Sequence, residues 1–249
     1  MRRLSSLCAA ALLAAVSLLF QAPAGHAAQN AGTPVVVELF TSQGCSSCPP
    51  ADDLLADLAE RSDVLALSLH VDYWDYIGWK DPYASPVYTA RQRRYAGALE
   101  LRYVFTPQIV VDGRQSIVGS RREDVLRAVD EAASRRKIME LEFVPKGGGR
   151  VVIPAGHAPD NGATVWLAVY DRAQTTKVKR GENAGRTVRS VNVVRSLERL
   201  GTWMGERLEI PLDLAAAAAD GRYGCAVIVQ EGRAGAVLGA AAMRLDTLQ

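Results

Sequence analysis

The chain has 249 residues, 29 Lys/Arg against 27 Asp/Glu for a formal net charge of +2, and 49% hydrophobic residues. A balance this close to neutral excludes the broad positive face that nucleic-acid binding needs. Four cysteines in a chain of this length exclude a disulfide-rich scaffold.

The chain opens with Arg2 and Arg3, an apolar run from Leu7 to Phe20, and then Gly25-His26-Ala27. A basic start, a short apolar core and a small-x-small site predict a signal peptide over 1–27, with the mature chain beginning near Ala28 in the periplasm or secreted. Removing that segment takes away two arginines and no acid. It leaves 27 basic against 27 acidic residues, and the cysteines Cys45, Cys48 and Cys225. No later segment is long and apolar enough to span a membrane.

Val35–Phe40 is a continuous β-branched and apolar run that predicts a buried strand. Ala51–Arg61 predicts a helix whose Ala51, Leu54, Leu55, Leu58 and Ala59 share one face, with Asp52, Asp53, Asp57 and Glu60 largely off it. Val64–Val71 predicts a second buried strand, so the unit reads as a right-handed parallel crossover. After the irregular, aromatic Asp72–Ala84, a helix is expected over Pro86–Leu99, with Ser85 as N-cap and Pro86 at the first helical position. Asp112-Gly113 between apolar runs predicts a hairpin, and a helix is expected over Glu123–Lys137, with Ser120 as its cap.

Beyond residue 137 the hydrophobic period changes from helical to two, as Met139, Leu141 and Phe143 alternate with Glu140 and Glu142. Lys146-Gly147-Gly148-Gly149 predicts a turn returning into Val151–Ile153. Further strands are expected at Thr164–Tyr170, Thr175–Lys179, Thr187–Arg195, Arg207–Ile210, Tyr223–Gln230 and Ala236–Met243, with a helical turn at Ala215–Ala219. Short strands between turn signals predict an all-β sandwich over 138–249. Gly181–Gly185 is expected to be an inter-strand loop whose polar residues can meet a partner.

The chemistry-bearing stretch is Gly44-Cys45-Ser46-Ser47-Cys48-Pro49-Pro50, between the first strand and the first helix. Two thiols at this spacing can close and reopen a small ring, and a helix N-terminus favours the nucleophilic thiolate. Redox exchange, an inert staple and a metal site all remain open. A bridge closing so short a loop contributes little loop entropy, so stapling is a weak reason for the pair. Pro49 before Pro50 disfavours helical angles at Pro49. The regular helix is therefore expected from Pro50, with both cysteines on a loop ahead of it. The aromatic insert follows the carboxyl end of the second strand as the cysteines follow the first. Tyr73, Trp74, Tyr76 and Trp79 are thus expected to flank the pair and bind substrate. His70 reads as a hydrogen-bonded core histidine, and Cys225 as a buried small hydrophobe.

The order strand, CxxC, helix, strand, helix, Thr106-Pro107, hairpin, helix resembles the thioredoxin superfamily over 33–137. The resemblance implies an α/β thioredoxin-like amino-terminal domain. It implies that Cys45 attacks and Cys48 resolves, and that Thr106 and a cis Pro107 line the substrate groove. It also assigns Glu38, in the first strand, as acid/base for Cys48. More narrowly, Glu38–Asp52, His70–Pro82, Thr89–Gln92, Thr106–Gln108, Arg180–Gly185 and Asn192–Arg195 resemble a secreted bacterial family known as domain of unknown function 1223. That likeness implies a thioredoxin-like domain followed by the β-sandwich. The expected function is an exported thiol–disulfide oxidoreductase without an organic cofactor, acting on a thiol- or disulfide-bearing protein or peptide. The alternative is a Cu(I) carrier, or an envelope adaptor whose disulfide is structural. A tetrahedral metal site would need ligands the sequence does not place.

Overall fold

A computed structural model describes residues 32–135, 139–145 and 149–247. The expected signal segment and the glycine turn at 146–148 lie outside the described residues.

Strand β1 (Val35–Thr41) runs parallel to β2 (Val64–His70), from Val35 opposite Val64 to Thr41 opposite His70. Helix α1 (Pro49–Ala59) makes the crossover. Helix α2 (Pro86–Ala98) follows, and the Ser85 hydroxyl accepts from the Val87 N–H, 3.2 Å, as its N-cap. Strands β3 (Gln108–Val111) and β4 (Gln115–Val118) form the predicted hairpin, with β3 antiparallel to β1. Helix α3 (Arg122–Ser134) begins without a side-chain cap, so Ser120 does not play the role expected of it.

A thioredoxin-like amino-terminal domain followed by a separate all-β sandwich is not what the chain builds. Strands β7 (Ala163–Lys177), β8 (Thr187–Trp203), β10 (Gly224–Glu231) and β11 (Val237–Arg244) extend the same sheet. The result is one mixed eight-stranded sheet, ordered β11-β10-β7-β8-β2-β1-β3-β4. The join is β8 alongside β2, parallel at Ser68 and Val193, where the Asn192 side-chain amide donates to the Ala66 carbonyl, 2.9 Å. A small second sheet, β5-β6-β9, is made of β5 (Glu142–Val144), β6 (Arg150–Ile153) and β9 (Leu208–Pro211). The short helix α4 (Leu214–Ala218) sits where a helical turn was expected.

The cores explain why the halves do not separate. Along β1, Val36 and Phe40 point to one face, and Val35, Val37 and Leu39 to the other. Along β10, Ala226 and Ile228 oppose Cys225, Val227 and Val229. The Val36–Phe40 face is one continuous core that also takes in Leu67, Trp166, Tyr170, Val194 and Ile228, with Tyr88 and Tyr95 of α2 above it. The opposite face is divided. One part lies under α1 and α3, and the other under the small sheet. Buried apolar area of this kind is the dominant favourable term in folding, and here residues from both halves of the sequence supply it jointly.

Candidate functional site

The site lies at the carboxyl ends of β1 and β2. After Thr41 the chain turns tightly: the Cys45 N–H donates to the Ser42 carbonyl and the Cys48 N–H to the Cys45 carbonyl. Cys45 and Cys48 are joined as a disulfide with their Cα atoms 5.4 Å apart. Helix α1 starts one residue earlier than the double proline predicts. Pro49 and Pro50 occupy its first positions, Cys48 is its N-cap residue with helical angles, and the Ala51 and Asp52 N–H groups donate to the Cys48 carbonyl. Leu54, Leu55 and Leu58 are fully buried on this helix. At about 1.5–3 kcal/mol for each such side chain, they outweigh the preference of a pre-proline residue for extended angles. Cys48 is therefore held at a helix N-terminus, where partial positive charge favours an anion.

Both sulfur residues are covered, with Cys45 1% and Cys48 0% exposed, whereas Ser46 and Ser47 between them are exposed. The Ser47 hydroxyl lies 3.3 Å from Cys45 Sγ. A disulfide sulfur carries no proton, so the hydroxyl is the donor. In the reduced protein the same hydroxyl would donate to the Cys45 thiolate.

Thr106 and Pro107 meet in a cis peptide bond. The Trp74 indole N–H donates to Thr106 Oγ1, 2.8 Å, and the Trp79 indole N–H to Gln43 Oε1, 3.1 Å. Two glycines permit this closeness. A Cβ on Gly44 would lie 3.2 Å from both Trp74 and Ile77, and one on Gly119 would lie 2.9 Å from Ala51 and 3.2 Å from Pro107. Of the four expected aromatics, Trp74 and Trp79 are thus tied to the CxxC surroundings. Tyr73, like Trp74, packs against the α2-side core, and Tyr76 is 83% exposed.

Glu38 is not brought to Cys48. It shares the face of Val36 and Phe40, opposite the face that packs on α1. Arg91 holds it there with two hydrogen bonds, 2.5 and 2.9 Å, and the Tyr95 hydroxyl adds a third. Arg91 also reaches Gln230 Oε1, 3.2 Å, which ties α2 to β10. Glu38 thus belongs to a buried structural ion pair, and the reason is register. Alternation along β1 sends its side chain away from the helix that carries Cys48.

On the α1 side, two acids that sequence reasoning missed, Asp52 and Asp81, surround His70, which is the buried hydrogen-bonded histidine expected. Asp52, expected off the apolar face, is buried, and Thr41 Oγ1 donates to it at 3.3 Å. His70 Nδ1 is 2.7 Å from Asp81 Oδ2, which also accepts from the Gln43 N–H at 2.8 Å. Burial pushes the Asp52 carboxyl up to about 7 against the opposing pull of His70 and the Thr41 hydrogen bond. Burial alone would lower His70, but the Asp81 carboxylate, its hydrogen bond and Asp52 together raise it. Burial would raise Asp81, but His70 and the backbone donors of Gln43 and Tyr83 hold it below the ordinary carboxylate range. Asp52 Oδ1 and His70 Nε2 are buried without hydrogen-bond partners among the described residues. The available signal was spacing: Asp52 lies four residues after Cys48, one helical turn along the same face. Cys225 is fully buried, and desolvation pushes its thiol up to about 12.

The loop between β7 and β8 completes the site. The buried Asn183 side chain donates to the carbonyls of Gln43, 3.0 Å, and Cys45, 2.8 Å, and the Ser46 N–H donates to the Glu182 carboxylate, 3.0 Å.

Residues 36–230 match the family described as protein of unknown function, DUF1223. The crystal structure of protein AGR_C_4864 from Agrobacterium tumefaciens is similar at 33% identity, covering 84% of this chain and 93% of that one, with a TM-score of 0.73. HBP35 of Porphyromonas gingivalis shares the fold at 12% identity, covering 86% of this chain and 76% of that one, with a TM-score of 0.54. No functionally curated protein matches the chain. With its match running from the first strand to the end of β10, the chain belongs to the DUF1223 family.

Proposed function

We propose that the Cys45–Cys48 pair exchanges its disulfide with a thiol- or disulfide-bearing protein or peptide outside the cytoplasm, after export on the 1–27 segment. The observation that carries this reading is the pair itself. It is a disulfide closed over two intervening residues at the start of a helix, with a hydroxyl already directed at the Cys45 sulfur. So short a loop gains little from cross-linking, whereas the helix N-terminus and Ser47 both stabilise the thiolate product of opening it. The likeness to the thioredoxin superfamily, in the motif and in Thr106-Pro107, supports the same reading, as does the oxidising compartment that export would supply.

In the reductive direction, a partner thiolate attacks Cys45 Sγ, the Cys45–Cys48 bond breaks, and Cys48 leaves as a thiolate that takes up a proton. A second partner thiol, losing its proton, then attacks the partner sulfur of the mixed disulfide, the bond to Cys45 breaks, and Cys45 leaves as a thiolate that takes up a proton. The partner ends oxidised by two electrons and the pair reduced by two. In the oxidative direction the steps reverse, with Cys45 attacking and Cys48 resolving. Thr106 and Pro107 line the approach to the pair, and Trp74 and Trp79 wall it. The exchange needs no organic cofactor.

The test is a redox titration of the pair in dithiol buffers, together with Cys48→Ser as a trap. A reducible pair and a mixed disulfide through Cys45 are expected. A bond that stays closed at every dithiol ratio, or tight stoichiometric Cu(I) uptake by a pair that never exchanges, would overturn the reading.

A further inference from the structure

A disulfide with both sulfur residues at most 1% exposed cannot be attacked in place, because the incoming thiolate must approach Cys45 Sγ along the sulfur–sulfur axis. Something has to move. Besides the segment that carries Trp74, Trp79 and Asp81, a second one holds the CxxC turn. Residues 178–186, which join β7 to β8, arch back over residues 43–46. The arch is internally shaped by Gly181 and Gly185, both at positive φ (+77° and +83°), and by backbone bonds from Gly185 to Val178 and from Val178 to Arg186. Arg186 donates to the Asn183 side-chain oxygen, 3.2 Å, which orients its amide nitrogen toward the Gln43 and Cys45 carbonyls. The arch is tied to the CxxC turn through Asn183, at the Gln43 and Cys45 carbonyls, and through the Glu182 carboxylate, which meets both the backbone and the side chain of Ser46. Gly181 rests on Ile77 and Trp79, where a Cβ would come within 3.1 and 3.4 Å of them. Asn183 is buried and Glu182 exposed, so the arch carries an inner bolt and an outer latch.

We propose that the β7–β8 arch is a lid on the Cys45–Cys48 disulfide, with Asn183 and Glu182 as positioning residues that set how readily an incoming dithiol reaches Cys45. The lid selects for partners able to replace its contacts: a group that accepts from the Ser46 N–H and a donor for the Gln43 and Cys45 carbonyls. An extended peptide backbone carries both. The proposal rests on the exchange reading above for its purpose, but its physical content, restricted access, can be measured with a small reductant alone.

The experiment is the rate of disulfide reduction in the full chain by dithiothreitol, and in parallel by a protein dithiol. Timed alkylation and peptide mapping report Cys45 and Cys48. The variants are Asn183→Ala, Glu182→Ala and Glu182→Gln. Losing one or two hydrogen bonds predicts reduction about threefold faster in Glu182→Ala and about tenfold faster in Asn183→Ala. The acceleration should be larger for the protein dithiol than for dithiothreitol. Glu182→Gln keeps an acceptor for Ser46 and should stay near wild type. Hydrogen exchange at the Ser46 amide should rise in Glu182→Ala and not in Glu182→Gln. Equal rates across all variants would overturn the lid. So would acceleration in every variant that merely tracks a lowered melting temperature. The two readings fail separately. Variants that open to dithiothreitol but never exchange with a protein dithiol sink the exchange reading and keep the lid. Exchange indifferent to all three substitutions sinks the lid and keeps the exchange.

Discussion

Glu38 and Asp52 are two buried carboxyl groups on opposite faces of one sheet, and their partners give them opposite roles. Glu38 is matched: Arg91 and Tyr95 saturate it, and the Arg91 side chain is fully buried beside it. Removing one member of such a pair strands the other, at a cost of about 3–5 kcal/mol. Glu38→Gln is therefore expected to lower the melting temperature sharply in calorimetry, while the pH profile of thiol–disulfide exchange keeps its shape. Asp52 is not matched, because one of its oxygens has no hydrogen-bond partner among the described residues. Its folded value near 7 lies above its ordinary value of 3.8, so between those pH values the folded chain holds a proton that the unfolded chain has released. By linkage, stability falls as pH rises through that window. Asp52→Asn removes the titrating group, so its melting temperature should decline less than the wild type's between pH 4 and pH 8. Parallel melting curves for the two proteins would refute this. The sequence showed that Glu38 was an acid in an apolar strand. It could not show which face α1 would cover, nor that Arg91, 53 residues away, would claim the carboxylate.

At the level of elements, local chemistry was readable and long-range pairing was not. The β3–β4 hairpin follows directly from Asp112-Gly113, whose φ values of +48° and +65° put both central residues of the Val111–Arg114 turn in the left-handed region. A Cβ at Gly113 would fall 2.0 Å from the Gly235 carbonyl oxygen, in the loop between β10 and β11. Gly113→Ala should therefore destabilise by more than about 1 kcal/mol, the scale of a simple backbone-entropy change, as measured by urea denaturation. A variant as stable as wild type would contradict the close approach. Strands β7 and β8 were only partly visible. The first was expected as two pieces, Thr164–Tyr170 and Thr175–Lys179, and the second was expected to stop at Arg195. Register shifts at Val165/Trp166 and Val169/Tyr170 break the alternation that sequence patterns rely on. The polar Asp171-Arg172 lies where the ribbon changes exposure. The arch between them was legible as a loop, but its seat on Gln43 and Cys45 is a contact across about 140 residues, which no local pattern encodes.

For the whole molecule, the change of hydrophobic period after residue 137 marks strands but not the sheet they join. A period of two says strand; it does not say with which sheet the strand pairs. Here β8 joins β2, and one core face takes residues from β1, β2, β3, β7, β8, β10 and β11. A fragment ending at residue 137 would leave Leu67, Leu69 and Tyr88 facing water where Trp166, Val194 and Ile228 now cover them, and would strand Arg91 without Gln230. It should show no cooperative thermal transition and poorly dispersed amide resonances. A fragment that melts cooperatively would mean that the two halves are separable after all.

The sealed thiol of Cys225 makes this protein its own unfolding alarm. Fully enclosed between β7 and β11, it is unreactive toward alkylating agents until the sheet itself comes apart. Label found on the reduced pair but not on Cys225 records a local excursion of the native fold, and label on all three marks global collapse.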